Sequence, residues 1–258
     1  MKVAIVLLTK YFKCDADFHE WCRHHISIGV DHIHVFDNNT CFDIKLACEK
    51  YGNLISYEPV SNPQQYQLYN RYINSSDADY VMPIDDDEYL SISSDIGNIH
   101  DAIEYYSNKL GKLNVFGIRW LFRFPKVFHS ERVGSVLEYC SEENEYIATR
   151  FSGYGNNIIK CLVKKESFVR YMDADEDISR NHIPLSTGID GAIMCDGRIT
   201  KKQYVSGHLE DERIRLIHCP YKGFSEYMAK QEHHVSVSHK EPRPRHYGAF
   251  NMILERLP

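Results

Sequence analysis

Along the first 90 residues, short apolar runs alternate with segments in which apolar residues recur at helical spacing. The runs are rich in Val, Ile and aromatic residues, which predicts buried strands, and the spaced segments predict amphipathic helices. Asp15 and Asp17 are suitable N-caps for the first helix, and Gly29 is placed to end it. This alternation predicts a largely parallel sheet with right-handed crossovers. The predicted strands cover residues 3–8, 32–36, 54–57 and 80–84, and the predicted helices cover residues 18–28, 42–51 and 63–73.

The second half of the chain has a less regular pattern. Residues 118–124 alternate, with three aromatic residues including Trp120 on one face, which predicts a strand. Two polar segments rich in turn formers, 141–155 and 173–197, predict loops, and residues 224–230 predict a last helix. The whole pattern predicts an α/β fold in a single domain whose C-terminal part is irregular.

Composition limits the classes of function. With 258 residues, of which 43% are hydrophobic and 26% charged, the chain can bury a large core. The formal net charge of -6 argues against a nucleic-acid partner, because binding phosphates requires a basic surplus. The apolar run at residues 1–10 is too short to span a membrane, and the eight cysteines include no Cys-x-x-Cys pair. We therefore expect a cytoplasmic protein with reduced thiols, no membrane span and no nucleic-acid partner.

Polar side chains follow several predicted strands at the point where each strand ends. Thr9 follows the first strand, Asp37 follows the second, and Asp85 to Glu88 follow the strand at residues 80–84. In open α/β sheets, ligands bind outside the carboxyl ends of the strands. These side chains therefore predict a ligand site at one edge of the sheet.

The four adjacent acidic residues at positions 85–88 repel one another, so a fold tolerates them when they are solvated, paired or bound to a cation. Strand alternation would place Asp85 and Asp87 on one side, where they could hold a hard divalent cation and leave coordination positions for phosphate oxygens. Such a cation would offset the charge of a departing nucleoside diphosphate. The cluster therefore predicts a metal-dependent nucleotide site, with an exposed acidic turn as the alternative.

Several motifs, taken in order, resemble those of GT-A glycosyltransferases of families 2 and 92. Asp85, Asp86 and Asp87, followed by Glu88, resemble the DxD-plus-Glu element of these enzymes. A chance match to a single DxD is common, whereas an ordered set of motifs is not. The other segments that carry the resemblance, which covers residues 1–235, are residues 20–38, 69–70, 120, 160–163, 181–184 and 217–227.

The resemblance implies a GT-A fold, which is a Rossmann-like, mostly parallel twisted sheet flanked by helices. It makes Asp87 the leading metal ligand and His218 the second, with Asp85 contacting the donor ribose or the water shell of the metal. An imidazole beside carboxylate and phosphate oxygens suits Mn²⁺ better than Mg²⁺, so Mn²⁺ is expected and Mg²⁺ is the alternative. One departure is Cys219 after His218, where the family usually carries a tyrosine.

The resemblance also implies a nucleotide-sugar donor, for which we expect a UDP-sugar. Thr9 and Asp37 would hold the nucleoside, and basic residues would neutralise the diphosphate leaving group. The residues assigned to the donor are Thr9, Asp37, Arg71, Asp85, Asp86, Lys160 and Lys222.

Trp120 is assigned to the acceptor, since an aromatic face packs against the C–H surface of a sugar ring. His182 is assigned to it as well, within the segment 181–184 that carries the resemblance. An inverting transferase, which we expect here, needs a group that takes the proton of the acceptor hydroxyl. Asp190 is the preferred base, beside Asp87 as the metal-binding catalytic group. The alternatives that spacing leaves open are Asp173, Asp175, Glu176 and Asp177.

The expected domain spans residues 1–235, with a nucleotide-binding half at 1–110, an acceptor-side half at 111–235 and a basic tail at 236–258. The expected partners are a nucleotide sugar and a glycan acceptor.

Two rival functions use the same sheet edge. One is a nucleotide-sugar hydrolase or nucleotidyltransferase, although no glycine-rich loop follows the first strand. The other is a non-catalytic carbohydrate-binding protein, which would be expected to lose its metal residues.

Overall fold

The structure is a computed structural model, and it describes most of the chain. Three predictions fall outside the described residues: the helix at 224–230, the tail at 236–258 and the candidate base Asp175. The described residues are 1–10, 12–61, 63–126, 129, 132, 134–173 and 176–222.

Strands and helices alternate through the first half, as the sequence pattern predicted. The strands are β1 Val3–Thr9, β2 His32–Asp37, β3 Ile55–Pro59, β4 Tyr80–Pro83, β5 Glu88–Ile92, β6 Val115–Phe124, β7 Glu142–Glu143, β8 Ile159–Lys164, β9 Phe168–Arg170, β10 Leu185–Ser186, β11 Ala192–Ile193, β12 Ile199–Thr200 and β13 Ile214–His218. The α-helices are α1 Asp15–Ser27, α2 Ile44–Glu49, α3 Gln65–Ser75, α4 Ile99–Leu110, α5 Val136–Tyr139 and α6 Glu145–Ser152. Short 3-10 helices cover Gly52–Leu54, Gly155–Asn157, Lys165–Ser167 and Ile178–Arg180.

The main sheet has the strand order β12-β11-β6-β8-β4-β1-β2-β3. Strands β1 to β4 are mutually parallel, and β8 runs antiparallel between β4 and β6. The α/β class with a mostly parallel sheet flanked by helices is therefore confirmed. Strand β1 is buried along almost its whole length, which fits its uninterrupted apolar sequence at the centre of the sheet.

Strand β13 joins the distant C-terminal segment to the acidic turn. It pairs antiparallel with β5, where His218 lies opposite Glu88, and parallel with β6, where His218 lies opposite Phe122. The strand thus fills the space between two elements of the first half. This pairing delivers His218 to the carboxyl-end edge of the sheet.

Three local predictions are wrong. Residues 141–155, predicted as a loop, contain the helix α6 Glu145–Ser152. The N-cap of α1 is Cys14, so Asp15 and Asp17 lie in the first helical turn, where their charges favour the positive end of the helix dipole. Strand β4 ends at Pro83 and is followed by a turn, so strand alternation does not place Asp85 and Asp87 on one side. Gly29, with φ +94°, follows the end of α1 as predicted.

Among the described residues, no helix is long and apolar enough to cross a membrane. All eight cysteines are free thiols in this structure, and six of them are buried.

Two histidines, the buried His25 and the partly buried His34, have pKa values lowered by the fold. His25 Nδ1 lies 2.9 Å from the carbonyl of Trp21, and its Nε2 accepts the N–H of Leu90 at 3.2 Å. Burial lowers the pKa of His25 well below its usual value. His34 stacks on Tyr72, and burial lowers its pKa to about 4.

We expect the free energy of unfolding to decrease as the pH falls from about 6.5 to about 4. In this range the unfolded chain binds protons at His34 and the folded chain does not, so protonation favours unfolding. The His34→Gln variant should lose up to about 3 kcal/mol of this pH dependence, measured by urea unfolding across the range. His208→Gln, at an exposed position, is the matched control. Equal slopes in His34→Gln and wild type would contradict the assignment.

Candidate functional site

The acidic residues form a turn between β4 and β5, and their side chains go to different partners. Asp85 is partly exposed, whereas Asp86 and Asp87 are buried and Glu88 is fully buried. The site is therefore three separate sets of contacts at one sheet edge, rather than one cluster of converging carboxylates.

The first set joins Lys160 to two carboxylates. Lys160 Nζ lies 2.6 Å from Asp85 Oδ2 and 2.8 Å from Glu88 Oε2, and the lysine is 3% exposed. Strand β8 runs antiparallel to β4, so Lys160 reaches the level where β4 ends and the acidic turn begins. The lysine assigned to the donor is thus a buried counter-ion for the acidic turn.

Burial and neighbouring charges have opposite effects on the pKa values of Glu88 and Lys160. Burial shifts the pKa of Glu88 upward, and the charge of Lys160 opposes this shift. Burial alone would lower the pKa of Lys160, but the carboxylates of Asp85 and Glu88 outweigh it and raise the pKa. The lysine therefore stays protonated, and its charge keeps the two carboxylates in place.

Glu88 is also tied to the backbone on both sides. Its Oε2 accepts the N–H of Asp85 at 2.8 Å, which closes the turn on itself. The indole N–H of Trp21, on α1, donates to the carbonyl of Glu88 at 2.8 Å. Sequence reasoning named Glu88 only as part of the acidic motif, because a contact with Trp21 depends on tertiary packing.

The second set is the pair of Asp87 and His218. Asp87 Oδ2 lies 3.4 Å from His218 Nε2, and both side chains are more than nine-tenths buried. The N–H of Cys219 donates to the carbonyl of Asp87 at 2.8 Å, which fixes the end of β13 against the turn. The imidazole also packs on Trp120, with ring centroids 4.4 Å apart.

The chemistry of this pair fits a divalent cation. Two ligand atoms at about 2.1 Å from a metal ion, at right angles, lie roughly 3 Å apart. The separation of 3.4 Å between Asp87 and His218 is close to that value. Asp85 is directed to Lys160 instead, and no group of three or more His, Cys, Asp or Glu side chains among the described residues could hold a metal ion. The two residues would leave the remaining coordination positions to substrate oxygens.

The third set surrounds Asp86. The hydroxyl of Thr9 donates to Asp86 Oδ2 at 2.9 Å, and Lys222 Nζ donates to the Asp86 carbonyl at 2.8 Å. Lys222 also lies over the ring of Phe12, 5.2 Å from its centroid. The structure therefore brings Thr9, Asp86 and Lys222 together.

Asp37 lies at the same edge, opposite Thr9 in the pairing of β1 with β2. Its carboxylate accepts the N–H of Thr40 at 2.8 Å and the hydroxyl of Tyr57 at 3.2 Å. These bonds hold the carboxylate at the end of the strand, at the edge where ligands bind in open α/β sheets.

No known protein family matches the sequence, and no curated protein matches it. Among solved structures, the chain is similar to TarS from S. aureus, at 10% identity and a TM-score of 0.39, over 99% of this chain and 43% of that one. It is similar to TarS 1–349 in complex with UDP-GlcNAc, at 11% identity and a TM-score of 0.34, over 64% of this chain and 46% of that one. It is similar to glucosyl-3-phosphoglycerate synthase from Mycobacterium tuberculosis, in complex with Mn²⁺, UDP and glucosyl-3-phosphoglycerate. The identity is 14% and the TM-score 0.33, over 64% of this chain and 57% of that one. The chain spans less than half of the length of the full TarS structure.

Two predicted site residues have their contacts away from these sets. Arg71 forms an ion pair with Glu58 at 2.6 Å and lies over the ring of Phe36. Asp190 is exposed and forms ion pairs with Arg180 at 2.8 Å and Lys201 at 2.6 Å.

The ion pairs of Asp190 affect its suitability as a base. The bonds from Lys201 and Arg180 lower the pKa of this carboxyl, which weakens it as a proton acceptor. Of the alternative bases, Glu176 is bound to Arg170, Asp177 accepts from Ser179, and the backbone N–H of Asp173 donates to Glu176.

Trp120 and His182, the residues assigned to the acceptor, lie side by side, with ring centroids 5.8 Å apart. His182 also lines a small cavity together with Lys160. Tyr66 and Tyr171 stack on each other in the wall of this cavity, at 5.7 Å between centroids. Sequence reasoning missed both tyrosines, because neither stands in a motif that points to a ligand.

We expect Lys160→Met to lower the free energy of unfolding by about 3–5 kcal/mol, because it leaves Glu88 and Asp85 without their counter-ion. The double variant with Glu88→Gln should recover part of this loss, since the neutral amide still accepts the Asp85 N–H. Urea unfolding at pH 7 of the wild type, the two single variants and the double variant gives the coupling energy. Additive effects of the two substitutions would show that the ion pair contributes nothing.

Proposed function

We propose that this chain is a glycosyltransferase that moves a sugar from a nucleoside diphosphate donor, a UDP-sugar, to a hydroxyl acceptor. The observation that carries the proposal is the buried pair of Asp87 and His218 at the carboxyl-end edge of the sheet. The pair offers one carboxylate oxygen and one imidazole nitrogen 3.4 Å apart, and both are ligand types that divalent cations use in proteins. The ordered sequence motifs point to the same chemistry.

In the proposed enzyme, Asp87 and His218 hold Mn²⁺, with Mg²⁺ as the weaker alternative. When bound, the metal would stabilise the negative charge that develops on the departing diphosphate. The mixed oxygen and nitrogen donors support Mn²⁺, because Mg²⁺ prefers oxygen ligands alone. The protein contributes a fixed pair of ligands, since β13 and the acidic turn are bonded to each other through Cys219 and Asp87.

The donor nucleotide in this proposal occupies the edge formed by the ends of β1 and β2. Asp37 and Thr9 lie next to each other there and offer hydrogen-bonding groups to the nucleoside. The side chain of Asp85 is 37% exposed, so a ribose hydroxyl can reach it while Lys160 holds its other side. Lys222 supplies a positive charge beside the turn for the diphosphate. Arg71 is left out, because it is committed to Glu58.

We expect one UDP-sugar to stabilise the protein in the presence of Mn²⁺, by about 2.7 kcal/mol at a ligand concentration 100 times its Kd. Thermal unfolding with a panel of nucleotide sugars, with and without Mn²⁺, measures this effect. Asp87→Ala should abolish the metal-dependent part of the shift, because it removes one of two protein ligands.

The matched control is Asp95→Ala, which removes an exposed carboxylate that pairs with Arg213 away from the site. This variant should keep the full shift. A UDP-sugar that stabilises Asp87→Ala as well as the wild type would contradict the metal site. If no nucleotide sugar binds under any condition, the transferase proposal itself is wrong.

A further inference from the structure

The indole N–H of Trp120 is a buried donor that no described residue accepts. The residue is 8% exposed, and its Nε1 has no hydrogen-bond partner among the residues the structure describes. Trp21, the only other tryptophan in the sequence, donates its N–H to a backbone carbonyl. Because an unsatisfied buried donor costs stability, its presence beside a candidate site indicates that a ligand supplies the acceptor.

His182, next to Trp120, offers a hydrogen-bond acceptor to complement the indole donor. Its Nδ1 lies 3.2 Å from the carbonyl oxygen of Ile159. A carbonyl oxygen only accepts, so Nδ1 carries the hydrogen, and Nε2 of the neutral ring carries a lone pair. Ile159 belongs to β8 and is paired with β6, so this choice of tautomer is fixed by the sheet.

The backbone of His182 supports a role in the site. Its φ is +69°, in the left-handed region that side chains other than glycine adopt at a cost in energy. Residues in such conformations cluster at active sites and at ligand-binding segments. Here the conformation holds the imidazole between Trp120 and the cavity that contains Lys160.

The carboxylates near the site are engaged elsewhere. Asp85 and Glu88 pair with Lys160, and Asp87 faces His218. His182 keeps a lone pair at neutral pH, because burial and the charge of Lys160 lower its pKa to about 4. A proton acceptor with this property resembles a carboxylate in basicity.

We propose that His182 is the catalytic base of the transferase and that Trp120 holds the same substrate hydroxyl. A hydroxyl both donates and accepts, so it fits between the lone pair of His182 Nε2 and the N–H of Trp120. As the hydroxyl oxygen bonds to the anomeric carbon of the donor, its proton passes to Nε2. The bond from that carbon to the diphosphate oxygen breaks, and its electron pair leaves with the diphosphate. This inference rests on the proposed function, and it replaces Asp190 as the base.

The test compares His182→Gln, Trp120→Phe and the control His208→Gln, using the UDP-sugar that the thermal screen identifies. The rate of UDP release is measured with water and with p-nitrophenyl glucosides and galactosides as acceptors. A positioned base contributes roughly a hundredfold or more, so His182→Gln should lower kcat by at least that factor and leave the donor KM unchanged. Trp120→Phe keeps the ring and loses the N–H, so we expect a smaller fall in kcat. His208→Gln should match the wild type.

An independent readout comes from ¹⁵N-histidine NMR of the wild type near neutral pH. His182, identified by the signal missing in His182→Gln, should be neutral with its hydrogen on Nδ1. A hydrogen on Nε2, or an unchanged kcat in His182→Gln, would overturn the inference while the transferase proposal stands. A Gln variant that loses donor-induced stabilisation together with activity would also overturn it, in favour of a structural role. No UDP release by the wild type with any acceptor would overturn the proposed function, and this inference with it.

Discussion

The candidate site depends on one set of ion pairs, in which the buried Lys160 bridges Asp85 and Glu88. Glu88 is fully buried, and a carboxyl in that position is tolerated only with a counter-ion and hydrogen bonds. Lys160 supplies the charge, and the N–H of Asp85 supplies a bond. Because Glu88 is also the first residue of β5, this set fixes where the strand begins and therefore how the acidic turn is oriented.

The position of β5 in turn determines that of His218. Strand β13 pairs with β5 in a register that places His218 opposite Glu88, and the aromatic strand β6 borders it on the other side. A shift of one residue in this register would move the imidazole to the opposite face of the sheet. The metal-binding chemistry proposed for Asp87 therefore rests on a strand pairing between segments far apart in the sequence.

The sequence was sufficient to predict the features that depend on local pattern. Strands β1 and β2 and helix α1 were predicted to within a few residues, since their periodicity and flanking residues are local signals. The pairing of β13 with β5 could not be predicted, because a short apolar run does not specify its neighbours. The charged neighbours of a residue are equally hard to predict from sequence. The sequence made Asp190 a candidate base, and only the fold shows that Arg180 and Lys201 form ion pairs with it.

The division of the acidic turn also explains how four adjacent carboxyl groups coexist at one sheet edge. Lys160 pairs with both Asp85 and Glu88 within the fold. Asp86 accepts a hydrogen bond from Thr9, and a second bond reaches its backbone from Lys222. Asp87 faces an imidazole, which in its neutral form offers a lone pair instead of a charge. The turn thus separates the two carboxylates that pair with Lys160 from Asp87, which we propose as a metal ligand, and a substitution at Lys160 should disturb both.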